Sequence, residues 1–221
     1  MLQKVQLTRV KNRDVFFPYI AEKKKTFSFK RGINCIIGPN ASGKTTILNG
    51  LCWLDSPKAG INTVNIPAPA DYNYSYSTLF SQDIPQDRII RYEPQSYSRF
   101  NTDNISSAFS TGDIQLGLRL GMFRGSEGEC GSLYFSKWFN QHKATLASEH
   151  TIVIADEIEN SNDYSVVRAI LKTFRSWTEH NKNLQILIAT HSPLVIPFAD
   201  NVVELRRGYL KDMKAAYAKV V

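Results

Sequence analysis

A chain of 221 residues is long enough for one well-buried domain and too short for several. Its composition, 43% hydrophobic and 21% charged, is that of a globular protein, and no uninterrupted apolar stretch reaches the roughly eighteen residues of a membrane span. The formal net charge of +7 favours a polyanionic partner such as nucleic acid.

The N-terminus, MLQKVQLTRVKNR, alternates polar and apolar residues and lacks the apolar block of a secretory leader. Cys35, Cys52 and Cys130 share neither metal-ligand spacing nor a disulfide pattern, which reads as reduced thiols in a cytoplasmic protein. Leu2, Val5, Leu7 and Val10 mark a first strand and Thr26–Phe29 a second, joined by a loop carrying Lys23, Lys24 and Lys25. Residues 33–37 form an apolar strand that runs into a glycine turn, and from Lys44 the apolar residues take helical spacing. Residues 56–86, rich in Pro, Asn, Ser and Tyr, read as loops or irregular edge strands. A short strand is expected at 88–92 and helices at 112–123 and 133–147, separated by a glycine-rich break at 125–131. Then come an apolar strand at 151–155, an amphipathic helix at 164–177, a second apolar strand at 184–189, a short strand at 202–205 and a basic tail. Strands that are apolar throughout and separated by helices imply a parallel sheet covered on both faces. The expected class is α/β: a P-loop core with a mostly parallel sheet, a β-rich N-terminal part and a reduced helical subdomain.

Gly38-Pro39-Asn40-Ala41-Ser42-Gly43-Lys44-Thr45 satisfies G-x-x-x-x-G-K-[ST] in full. The glycines let backbone N–H groups turn inward around phosphates, and the following helix presents its positive end to them. Lys44 is then placed to reach the β- and γ-phosphates and Thr45 to coordinate Mg²⁺, with Thr46 beside it. The strand before the motif and the helix after it supply the context that the chemistry needs.

The apolar strand at 151–155 ends in Asp156-Glu157, the pattern of a second Mg²⁺ motif. Asp156 would hold the metal and Glu157 would polarise the attacking water. His191 follows the next apolar strand, on the rim where ligands bind in such sheets, and is a candidate γ-phosphate sensor.

Together these blocks resemble the ABC ATPase superfamily. Phe109-Ser110-Thr111-Gly112-Asp113-Ile114-Gln115 is similar to its signature motif, which implies that Ser110, Thr111 and Gly112 bind the γ-phosphate held by an opposite subunit. Tyr92-Glu93-Pro94-Gln95 resembles the Q-loop, whose Gln reaches Mg²⁺ and water; Gln82 and Gln86 are alternatives for that role. The run 156–163 resembles the Asp-Glu-Pro…Asp stretch and implies that Asp163 lies at a dimer seam. The resemblance spans residues 30–195, within a single domain over 1–221 whose signature-bearing insert covers about 96–150. The phosphate-loop phrasing, residues 7–12 and the Ala-Thr-His-Ser-Pro block are most similar to SMC, RecF and overcoming-lysogenization ATPases. No heptad run or further metal cluster accompanies them.

The resemblance implies an ATP-dependent homodimer that hydrolyses Mg·ATP at its seam and passes a change of shape to a separate effector chain. A DNA-associated assembly of repair, recombination or phage defence is the leading expectation. The nucleotide-binding subunit of a membrane transporter is the alternative, and a regulatory ATP-binding protein with negligible turnover is a third. The adenine contact stays open among Arg9, Phe16, Phe17 and Tyr19.

Overall fold

The computed structural model describes residues 1–9, 24–54, 56–66, 74–92, 94, 127–147, 150–160 and 162–218. Strands β1 (Leu2–Arg9), β2 (Lys24–Ser28), β4 (Gly60–Ile66) and β5 (Tyr74–Phe80) form an antiparallel sheet in the order β2-β1-β5-β4. Strands β3 (Gly32–Ile37), β6 (Ile89–Tyr92), β7 (Thr151–Asp156), β8 (Leu184–Thr190) and β9 (Asn201–Glu204) form a parallel sheet in the order β6-β7-β8-β3-β9. The described helices are α1 (Lys44–Cys52), α2 (Glu127–Ala147), α3 (Tyr164–His180) and α4 (Tyr209–Tyr217).

The two-residue period of a strand splits the interior into two cores. Ile33, Cys35 and Ile37 of β3, Val153 and Ala155 of β7, and Ile186 and Ile188 of β8 point to one face, where they meet α2, α3 and α4. Their neighbours Ile36, Ile152, Ile154, Leu187 and Ala189 point to the other, against α1 and the antiparallel sheet. All seven residues of β8 are buried, as expected of a central parallel strand. Helix α3 buries Val166, Val167, Ile170, Leu171 and Phe174 and begins at Asp163, whose carboxylate accepts from the backbone of Ser165 and Val166.

Four elements differ from the sequence-based expectation. Residues 60–66 and 74–80 are regular paired strands rather than irregular ones, because Tyr76, Thr78 and Phe80 alternate inward while Ser77 and Leu79 between them stay half-exposed. The glycine-rich break does not persist to 131: α2 starts at Glu127 and runs through Gly128 and Gly131. Gly131 is there for clearance, since a Cβ would fall 1.8 Å from Asn162 Oδ1. The basic tail folds into α4, anchored by buried Met213. The expected helix at 112–123 lies outside the described residues.

Gly50 in α1 has a similar role against the buried ring of Tyr76, whose hydroxyl donates to Ile47 O at 2.7 Å. A Cβ on Gly50 would sit 2.5, 2.6 and 2.7 Å from three Tyr76 ring atoms. Gly50→Ala should therefore destabilise by about 1–3 kcal/mol, against the sign of helix propensity. In thermal unfolding that is a fall of roughly 2–4 °C per kcal/mol. A raised Tm would show that the Tyr76 ring yields at little cost.

Candidate nucleotide site

The parallel register brings three chain turns to one place. Ile37 is level with Thr190, and Asp156 with Ala189, so the segments leaving β3, β7 and β8 emerge side by side at their carboxyl ends. Ligands bind at this edge of open α/β sheets. A cleft of about 580 Å³ opens there, lined by residues 40–46, Glu157, Asn160 and His191.

The loop between β3 and α1 takes two left-handed residues, Ala41 at φ 57° and Gly43 at φ 93°. Gly43 occupies the N-cap position of α1, with no side-chain cap and no acid in the first turn. The free N–H groups and positive end of the helix are thus left to an anion. Ser42 is fully buried, and its Oγ has no hydrogen-bond partner. Lys44 is only 4% exposed and donates to Gly38 O at 3.1 Å and Pro39 O at 3.2 Å. Burial lowers its pKa, while Glu157, Asp156 and Glu159 oppose that shift.

Lys44 also reaches the histidine. Its Nζ lies 2.7 Å from His191 Nε2, and the same Nε2 lies 3.2 Å from Glu157 Oε1. A ring nitrogen either accepts from the amine or donates to the carboxylate, so the two contacts are alternatives on one atom. Asn160 Nδ2 donates to the other oxygen, Glu157 Oε2. Glu157 itself has φ 47°, and its N–H donates to Ala189 O at 2.8 Å.

Asp156 lies beside the Thr45 hydroxyl, and its Oδ1 is buried without a partner of hydrogen-bonding geometry. Arg91 Nη2 stands 4.0 Å from the other oxygen. One hydroxyl and one carboxylate fit Mg²⁺, which takes its remaining ligands from phosphate and water. Among the described residues no group of three or more His, Cys, Asp or Glu forms an all-protein cage.

Burial pushes the Asp156 carboxyl above its ordinary range; the Thr45 hydroxyl opposes this, Glu157 adds to it, and Arg91 and Lys44 oppose it. A carboxyl raised in the folded state carries its burial cost above the folded pKa, and the cost is relieved as pH falls through that pKa. Asp156→Asn should therefore raise the Tm of the nucleotide-free chain at neutral pH, with the gain vanishing in acid. It should also remove the Mg²⁺ dependence of nucleotide binding. Thermal scans at both pH values check this, and a lower Tm at neutral pH would mean that the contacts to Thr45 and Arg91 outweigh burial.

Of the residues expected at the site, the phosphate loop, Asp156, Glu157 and His191 come together. Asp163 does not line the cleft; it is exposed and caps α3. Gln95, Ser110, Thr111 and Gly112, with Phe16, Phe17 and Tyr19, lie outside the described residues, as do the side chains of Arg9 and Gln86. Gln82 is half-buried in the bend after β5. Sequence reasoning gave no role to Glu159 or Asn160. Their signal was present in Asp156-Glu157-Ile158-Glu159-Asn160, a strand-end turn with more polar residues than a metal and a base require.

Comparison with known proteins bears on the fold. A family model described as an AAA domain matches residues 15–62. The SMC head domain from Thermotoga maritima is 16% identical, with a TM-score of 0.51 over 92% of this chain and 94% of that one. The protein cbiO1 from Clostridium perfringens, part of the ABC transporter complex cbiONQ, is 16% identical with a TM-score of 0.53, covering 100% and 94%. The fold is that of the ABC-type ATPases. A Pyrococcus abyssi protein named as an ABC transporter ATP-binding protein is 27% identical over 219 residues, 90% of this chain and 80% of its own length. Both SMC-type and transporter-type domains thus share this ABC-type architecture. No described helix of the chain is long and apolar enough to cross a membrane.

Proposed function

We propose that this ABC-type domain binds Mg·ATP in the cleft and hydrolyses it between two copies of the chain, the resulting change of shape driving a DNA-associated assembly. The observation that carries the ATPase reading is the contact chain Lys44–His191–Glu157 on one ring nitrogen. A γ-phosphate entering the loop competes for the Lys44 amine. His191 Nε2 is then released to donate toward the phosphate or Glu157, and Glu157 takes a proton from the attacking water. Mg²⁺ held by Thr45 and Asp156 would neutralise charge on the phosphates. Ser110, Thr111 and Gly112 of the second copy would close the site, with Gln95 at the metal and Asp163 at the seam.

The DNA reading draws on charge and its placement. Arg31 donates through Nε and Nη2 to Lys182 O, which gathers exposed Lys30, Arg31 and Lys182 on one rim, at the amino ends of β3 and β8. Such a cluster suits phosphate contacts without sequence readout. The names of the relatives favour a second reading, a transporter's nucleotide-binding subunit acting with a membrane protein.

ATP turnover measured at low salt, with and without duplex or single-stranded DNA, tests the choice. Stimulation that is lost when Lys30, Arg31 and Lys182 are reversed to Glu supports the DNA reading. Turnover indifferent to DNA, together with a stable complex with an integral membrane protein, would replace it with the transporter reading. Absence of turnover in any condition would overturn the ATPase reading.

A further inference from the structure

The turn after β7 carries an acid that the proposed cycle leaves without a task. Glu159 Oε1 accepts from three donors on the turn after β8: Thr190 Oγ1 at 2.8 Å, His191 N at 2.6 Å and Ser192 N at 3.1 Å. Ser192 N is shared with Thr190 Oγ1 at 2.9 Å, so one carboxylate oxygen and one hydroxyl tie the whole Thr190–Ser192 segment together. Glu159 Oε2 is buried without a hydrogen-bond partner, which leaves Oε1 to carry the side chain's hydrogen bonding.

Helix capping does not account for the contact. The short 3₁₀ helix at Pro193–Phe198 already has its cap, Ser192 Oγ accepting from Leu194 N at 3.3 Å. What Glu159 holds instead is the peptide N–H of His191 itself. That peptide and its neighbours set the direction in which the imidazole leaves the backbone. The turn that bears Glu157 is thereby bolted to the turn that bears His191. A hydrogen bond to a charged acceptor is worth about twice a neutral one, and orienting partners behind a reacting group typically change activity by about 10- to 100-fold.

We propose that Glu159 is the positioning residue that fixes His191 against Lys44 and Glu157, acting through the backbone of residues 190–192 and without contact to substrate. The assignment of a catalytic consequence rests on the ATPase reading above; the placement of His191 does not. Position and charge separate cleanly, because Glu159→Gln keeps the Oε1 acceptor and removes the charge, whereas Glu159→Ala removes both.

The test has two arms. In the nucleotide-free full chain, NMR of the His191 ring nitrogens should show displaced signals in Glu159→Ala and signals close to wild type in Glu159→Gln. In steady-state turnover, Glu159→Ala should lower kcat by about 10- to 100-fold with KM nearly unchanged, Glu159→Gln should recover most of it, and Glu159→Ala should add nothing in a His191→Ala background. Should Glu159→Ala fail to fold, Thr190→Val removes one of the three donors and should move the same ring signals. Unmoved ring signals in both Glu159→Ala and Thr190→Val would overturn the proposal. So would an equal kcat loss with and without His191, or a Glu159→Gln variant as slow as Glu159→Ala. A wild-type chain that turns over no ATP would remove the ATPase reading instead, and the ring-nitrogen arm would still decide whether Glu159 places His191.

Discussion

Replacing Glu157 with Gln is expected to slow ATP turnover by about 10²–10⁴-fold while leaving ATP binding in place. The amide keeps the size of the side chain and a carbonyl oxygen that can accept from Asn160, as Glu157 Oε2 does. It cannot take a proton from water. In the proposed cycle the ATP-bound closed state then accumulates, because hydrolysis no longer empties it. Light scattering should accordingly show a monomer with ADP or without nucleotide, and a dimer with Mg·ATP, in this variant. An unchanged mass in all three conditions would remove the two-copy closure from the proposed cycle. Undiminished turnover would assign the base elsewhere.

The second large effect is expected from Lys44→Ala. The amine is buried, and in the nucleotide-free chain its partners are two loop carbonyls and His191. Phosphate entering the cleft offers it a full counter-charge. Removing one partner of such a buried charged contact costs roughly 2–5 kcal/mol, or about 30- to 5,000-fold in affinity. Titration with a fluorescent ATP analogue should show this loss, whereas ADP affinity should fall less because the γ-phosphate is missing. Equal losses for the two nucleotides would place the amine at the β-phosphate alone.

Legibility in the sequence followed the range of the interactions involved. The phosphate loop could be read because its chemistry is local: Gly43 with its positive φ, Lys44 and Thr45 are adjacent in the chain. Strands β7 and β8 could be read because burial on both faces removes every polar alternative from 152–155 and most from 184–190. That Asp156, Glu157 and His191 leave the sheet at one edge followed from parallel strands ending side by side. Strands β4 and β5 were harder, since their sequences mix Asn, Ser and Thr with the apolar residues, and that composition mimics loops. The start of α2 was misplaced because glycine normally breaks helices, whereas Gly131 answers to a contact with Asn162, thirty-one residues away and invisible to any local pattern. The contacts of Glu159 were hidden for the same reason, as its partners lie on the neighbouring turn at 190–192.

The φ of 47° at Glu157 sets chemistry and backbone at odds within one residue. A side chain longer than that of Asn holds a left-handed conformation at a cost of about 1 kcal/mol or more, which glycine would not incur. If Glu157 is the base of the proposed cycle, selection for turnover would act against a pull toward glycine or asparagine. A duplicated copy of the gene freed from the need to hydrolyse ATP would be expected to drift at this position first. It would gain stability as it lost its base and keep Lys44, since gripping nucleotide and breaking it would then be under separate control.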